Sequence, residues 1–212
     1  MDRNFVVVAV AMDRAGAARQ WIEDVAPTYL SLIDQYHHVA DLYNMVNVPE
    51  AVWIDEAGRI VRPAECAGAY EGFRSMDRAT GKMPDDVAAI TAGAKKTYVS
   101  AIRDWIEKGA YSEFAWTEAE ARAHLAAPSE DHALANANFR LGQHLVASGR
   151  DEEARPFLDE AIRLRPESWN FWRQNAEKNP IGLAADAAFW ERVDALGEGK
   201  YYPAVDMKGM PR

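Results

Sequence analysis

The side chains able to do chemistry are few and scattered. The one cysteine, Cys66 in the stretch "RPAECAGAY", is a nucleophile only as its thiolate. No second cysteine is present to resolve a disulfide or to complete a cysteine-rich zinc site, and the lone thiol reads as incidental. His37 and His38 are adjacent, so on a helix they project about 100° apart and cannot make the one-face pair that a metal needs. They read as solvated helix polarity. His124, His132 and His144 fall on separate predicted segments with no ligand spacing. No serine, histidine and acid set, Gly-rich phosphate loop or paired-carboxylate motif stands out. The residues therefore predict no catalytic side chain, no metal and no cofactor. What remains is "YNMVNVPEAVWIDEAGRIV", Tyr43 to Val61, in which Val48 and Pro49 bend the chain just ahead of an apolar strand.

Composition narrows the partners. The chain has 212 residues, 49% of them hydrophobic, enough for a sizeable core in one or two domains. Twenty-four basic against thirty-three acidic side chains leave a net charge of -9, which opposes attraction to nucleic acid or to anionic lipid. A single cysteine fits a reducing compartment, and the cytoplasm is the expected location. The apolar run "FVVVAVAM" is too short to span a bilayer and lacks a small-residue cleavage site after a basic leader, so it reads as a strand. No membrane partner is expected.

Stepping outward from Val48 and Pro49, the flanking segments describe an α/β unit. Phe5 to Met12 is an unbroken valine-rich run, the pattern of a strand buried on both faces in a parallel sheet. "DRAGAARQWIEDVAP" spaces Ala17, Trp21, Ile22 and Val25 as a helix that stops before Pro27. "YLSLID" is a short extended piece, and "QYHHVADLYN" a short helix with Val39, Leu42 and Tyr43 on one side. "EAVWID" and "RIVR" are strands joined by "EAG", where Gly58 supplies the positive φ of a tight hairpin. From Pro63 to Met83 the chain is irregular and rich in glycine, and a domain boundary is expected there.

After Pro84 every segment predicts helix. Asp85 and Asp86 open a long one that Lys108 and Gly109 close, as the helix dipole favours. Thr117 and Glu120 have capping-box spacing ahead of a helix expected to run toward Pro128. Between Ala135 and Ser168 the residues Leu141, Gly142, Leu145, Gly149, Ala154, Leu158, Ala161 and Pro166 fall where a tetratricopeptide repeat of about 34 residues places its packing residues. Asn138 and Phe139 stand where the tryptophan of that repeat is expected. "SWNFWRQNAEKNP" reads as a divergent capping repeat, and Trp169, Phe171, Trp172, Trp190, Tyr201 and Tyr202 as aromatic filling of the seam beside it.

The order buried strand, helix, short strand, short helix and then "NVPEAVWIDEAGRIV" resembles the second half of a thioredoxin-like domain of the ResA- and TlpA-type redoxins, over roughly residues 4–62. The resemblance implies that Pro49 is a cis-proline and that Val48 offers its backbone to an extended substrate. It implies residues 1–64 as the C-terminal part of such a domain, 65–83 as an irregular linker, and 84–212 as a helical domain with one clear repeat (135–168) and an aromatic cap. The family's strand and two-cysteine motif precede the segment equivalent to Phe5 to Met12, so the nucleophile of thiol–disulfide exchange has no counterpart here. The sequence is expected to be the C-terminal portion of a longer protein, to have its sheet completed in trans, or to start upstream of a selenocysteine codon taken for a stop. The whole would exchange thiols and disulfides with a protein or small thiol substrate; alone the chain is expected to be redox-inert. The competing expectation is a non-catalytic tetratricopeptide-type module that binds a peptide or self-associates, through its helices or an open sheet edge.

Overall fold

The structure, a computed structural model, describes residues 5–14, 16–125, 127–179 and 184–211. Residues 126 and 180, inside two of the expected helical runs, lie outside the described residues. The fold is mixed: among the described residues, two small sheets and eight α-helices. The chain gathers into two compact units, one of Met1–Val46 with Pro128–Phe171, the other of Asn47–Ala127 with Trp172–Arg212.

In the first unit, strand β1 (Val8–Ala11), helix α1 (Arg19–Val25) and strand β2 (Leu30–Ile33) form a parallel β-α-β unit, with register from Val8 opposite Leu30 to Ala11 opposite Ile33. Helix α1 ends at Ala26, in the left-handed region at φ 45°, just before Pro27. The expectation of a strand buried on both faces is not met. Val6 is 73% exposed and Trp21 on α1 71%, and α1 buries none of its residues. The cause is the small sheet: among the described residues β1 pairs only with β2, so its other edge has no strand partner and its residues are at most half-buried.

Helix α2 (His38–Leu42) is brief and is held at its start by the Asp34 carboxylate, which accepts the N–H groups of His38, Val39 and Ala40 at 2.8, 2.7 and 3.2 Å. Helices α5 (Glu130–Ala147) and α6 (Asp151–Leu164) then form a hairpin whose turn passes through Gly149 at φ 73°. Gly142, Leu145, Ala154, Leu158 and Ala161 are buried as their spacing predicts, whereas Leu141 is exposed. Gly142 has a specific reason to lack a side chain: a Cβ there would stand 2.6 Å from Leu158 Cγ and Cδ2. Gly142→Ala is therefore expected to lower stability by about 1–3 kcal/mol, although alanine alone favours helix. A urea titration followed by circular dichroism checks it; an unchanged or raised midpoint would show that Leu158 moves aside freely.

In the second unit, β3 (Glu50–Ile54) and β4 (Ile60–Cys66) form the expected antiparallel hairpin. Its turn uses Gly58 at φ 76° and the Asp55 carboxylate, which accepts the N–H groups of Ala57 and Arg59 at 3.0 and 2.8 Å. Strand β4 runs past Arg62, so the stretch expected to be irregular begins as strand and continues into a short 3-10 helix at Glu71–Ser75. Helix α3 (Asp85–Lys108) buries Ala94, Tyr98 and Ala101 against Trp53 and Cys66. Helix α4 (Glu118–Ala123) carries the capping box foreseen at Thr117 and Glu120. Helix α7 (Trp169–Asn175) straddles the division between units, and α8 (Ala187–Ala195) starts at the Asp186 side-chain cap. The C-terminal segment closes the core with Val205, Met207 and Met210.

Candidate functional site

Val48 and Pro49 sit on an exposed bend leading into β3, and the peptide bond joining them is the cis bond among the described residues. Their surroundings are built by distant parts of the sequence. Buried Asn47 accepts the Val48 N–H on Oδ1 at 2.9 Å and donates from Nδ2 to the Tyr201 carbonyl at 3.1 Å. The Tyr202 hydroxyl donates to the Val48 carbonyl at 3.3 Å, and the Tyr202 N–H donates to Glu71 Oε1 at 3.0 Å. Arg74 donates to the other Glu71 oxygen at 3.1 Å and to the Gly199 and Gly197 carbonyls at 2.8 and 2.9 Å, pinning the approach to the tyrosines. Tyr201 is buried, with its ring edge-on to Phe73 at 4.9 Å and its hydroxyl accepting from Arg173 at 2.6 Å. Both backbone groups of Val48 are thus engaged within the chain.

The structure also places Cys66 at this bend. Cys66 pairs with Glu50 across the hairpin, and the next residue, Ala67, donates its N–H to the Pro49 carbonyl at 3.1 Å. The thiol does not gain reactivity from that position. It is buried in the core with Trp53 and Tyr98, and burial, aided by Glu50, Glu65 and Glu71, pushes its pKa up to about 12. At neutral pH it is a thiol, not a thiolate.

A second polar cluster lies in the first unit. A shallow cavity of about 10 Å³, room for about one water, is bounded by Tyr36, His37, Asp41, Asn136, Arg140 and Arg165. Arg140 donates to Asp41 at 2.7 Å, Asn136 also donates to Asp41, and buried Arg165 meets His132 at 2.9 Å and donates to Asn44. His37 corrects the reading of solvated polarity: it is 4% exposed, lies edge-on to Phe139 at 5.1 Å, and buries its Nδ1 with no hydrogen-bond partner among the described residues. Its φ of 55° turns it inward at the start of α2, which helical periodicity does not reveal. His124 is likewise engaged, stacked on Trp116 at 3.8 Å with Nε2 3.2 Å from Asp206. Among the described residues no three metal-ligating side chains converge.

His37 gives the fold a pH dependence. Burial holds its folded-state pKa below the ordinary 6.5, with Asp34, Asp13 and the Met12 backbone opposing the shift. The unfolded chain therefore takes up the proton first. The stability of the neutral ring is fully present above that ordinary value and is lost as pH falls through it toward the lower folded value. His132 shifts in the same direction, through burial and Arg165, so the contrast with a variant isolates His37. Urea midpoints of the wild type should fall between pH 7.5 and 5.5 more steeply than those of His37→Gln; equal slopes would show that the ring does not titrate this way.

Compared with models of protein families, with curated proteins and with solved structures, the chain matches none. Among the described residues, no helix is long and apolar enough to cross a membrane.

Proposed function

We propose that this chain is a portion of a thioredoxin-like thiol–disulfide oxidoreductase, in which the Val48–Pro49 bend lines the substrate groove and another polypeptide segment supplies the reactive cysteine motif. The observation that carries the reading is the state of β1. A parallel strand pair is ordinarily covered on both faces, and two strands do not make a stable sheet. Here one edge of β1 has no strand partner among the described residues, and Val6 ahead of it and Trp21 and Val25 on α1 are exposed. A strand followed by a helix, the element that bears the two-cysteine motif in redoxins, has the form needed to cover such an edge and surface. The groove side of the site takes an extended polypeptide, and the chain's own thiol is unreactive because it is buried and protonated.

The test is reduction of insulin disulfides with dithiothreitol as the reductant. The chain and its Cys66→Ser variant are both expected to run at the uncatalysed rate, and 5,5'-dithiobis(2-nitrobenzoate) should label Cys66 only after unfolding. Catalysis by the chain at a rate unaffected by Cys66→Ser would overturn the reading, because it would require a nucleophile that the sequence does not contain.

A second reading, a non-catalytic interaction module of the tetratricopeptide type, draws on helix α5. Leu134 and Leu141, two turns apart, are both exposed and form an apolar stripe on the α5–α6 hairpin. It predicts that Leu134→Ser with Leu141→Ser abolishes peptide or self-association while leaving the fold intact, measured by analytical ultracentrifugation and circular dichroism.

A further inference from the structure

The hydrogen bonds around Val48 carry an inference that rests on the groove reading and goes beyond it. An extended peptide that docks beside a strand is held by backbone hydrogen bonds, so a groove needs an accessible carbonyl or N–H to receive it. The Val48 N–H is committed to Asn47 Oδ1, on a buried side chain that also holds the Tyr201 carbonyl. That leaves the Val48 carbonyl as the group on this exposed residue able to accept from a partner, and it is occupied by the Tyr202 hydroxyl at 3.3 Å.

The strap that carries this hydroxyl is fixed at several points. Tyr201 is buried against Phe73, the Tyr202 N–H is held by Glu71, and Val205, Met207 and Met210 lie in the core. Tyr202 itself is only half-buried. Its ring packs on that core and lies edge-on to Tyr201 at 4.6 Å, so the hydroxyl leaves the carbonyl as this one side chain gives up that contact, with the other anchors of the strap in place.

We propose that Tyr202 is a built-in gate, whose hydroxyl holds one acceptor position of the Val48 carbonyl and competes there with the N–H of an extended peptide, which binds more tightly once the hydroxyl swings away. The occupant is a polypeptide rather than a small thiol, because the group withheld is one that a peptide N–H satisfies. Displacing a neutral hydrogen bond of this kind opposes binding by a factor of about three to ten.

The gate can be read with a fluorescein-labelled seven-residue peptide of alternating threonine and valine, with lysine at both ends to suit the net charge of -9. Fluorescence anisotropy is measured on the wild type, Tyr202→Phe, which loses only the hydroxyl, and Tyr202→Ala, which also loses the ring. Urea midpoints confirm that each is folded. Tyr202→Phe is expected to bind about three to ten times more tightly than the wild type. The gain should vanish with a peptide N-methylated at alternate residues in both registers. Equal binding by wild type and Tyr202→Phe would overturn the gate while leaving the groove intact. A gain that survives N-methylation would overturn the assignment to the carbonyl. Absence of saturable binding by all three proteins at millimolar peptide would overturn the gate and the groove reading together.

Discussion

Arg62→Ala is expected to cost about 3–5 kcal/mol of unfolding free energy, the range for removing one partner of a buried ion pair. Arg62 is 1% exposed and yet charged, and four of its five N–H donors meet acceptors within the fold. Its Nε and Nη2 reach the two oxygens of Glu65 at 2.8 and 2.7 Å, and Nη1 and Nη2 donate to the Phe114 and Asp206 carbonyls at 3.1 and 2.8 Å. Its guanidinium lies 3.9 Å from the centre of the Trp116 ring. Glu65 accepts in turn from the Tyr98 hydroxyl at 3.0 Å, and that hydroxyl accepts from Trp53 Nε1 at 2.9 Å. One planar, five-donor group thus joins β4, the segment before α4 and the C-terminal strap. Alanine would leave Glu65 without its cation and two carbonyls without their donor, and lysine, with a single ammonium, could replace only part of the set. Chemical denaturation of Arg62→Ala and Arg62→Lys checks this. A loss under 1 kcal/mol for alanine would mean that solvent enters and that the network is not closed.

Phe139→Ala should have an effect of similar size in the other unit, about 3–5 kcal/mol for a buried phenylalanine truncated to alanine. The ring is 2% exposed, stacks on Phe171 at 4.2 Å, and receives the edge of His37 at 5.1 Å. It also lies in the cluster formed by Ala135, Leu145, Leu158 and Ala161, so truncation opens a space that small neighbours cannot refill. Phe139→Leu should recover roughly half of the loss, because volume returns and the ring contacts do not. Urea midpoints for the pair check the ordering. Equal losses for alanine and leucine would assign the stabilisation to the aromatic contacts rather than to filling.

Much of the local structure was legible in the sequence because local rules decide it. The capping box at Thr117, the hairpin turn at Gly58, the start of α3 at Asp85 and the small residues of α5 and α6 each answer to a few neighbouring side chains. What could not be read depended on parts of the chain far apart in sequence. Nothing near Arg62 tells that the Phe114 and Asp206 carbonyls will accept its hydrogen bonds, and nothing near Val48 foretells Tyr202. The burial of His37 follows from a left-handed residue at a helix start, which periodicity misassigns to the solvated side. Strand β1 shows the converse: its composition asks for burial that its single neighbour does not provide. The discrepancy between apolar sequence and exposed surface is itself what the proposed function explains.

That explanation can be put to one direct measurement: insulin reduction by the chain joined at its N-terminus to a strand–helix segment bearing a Cys-x-x-Cys motif at the helix start. The expected result is catalysis that the segment and the chain do not show separately, that is lost when either motif cysteine becomes serine, and that persists in Cys66→Ser. A folded fusion that reduces insulin no faster than the free segment would contradict the assignment of Val48 and Pro49 to the substrate side of a redox site.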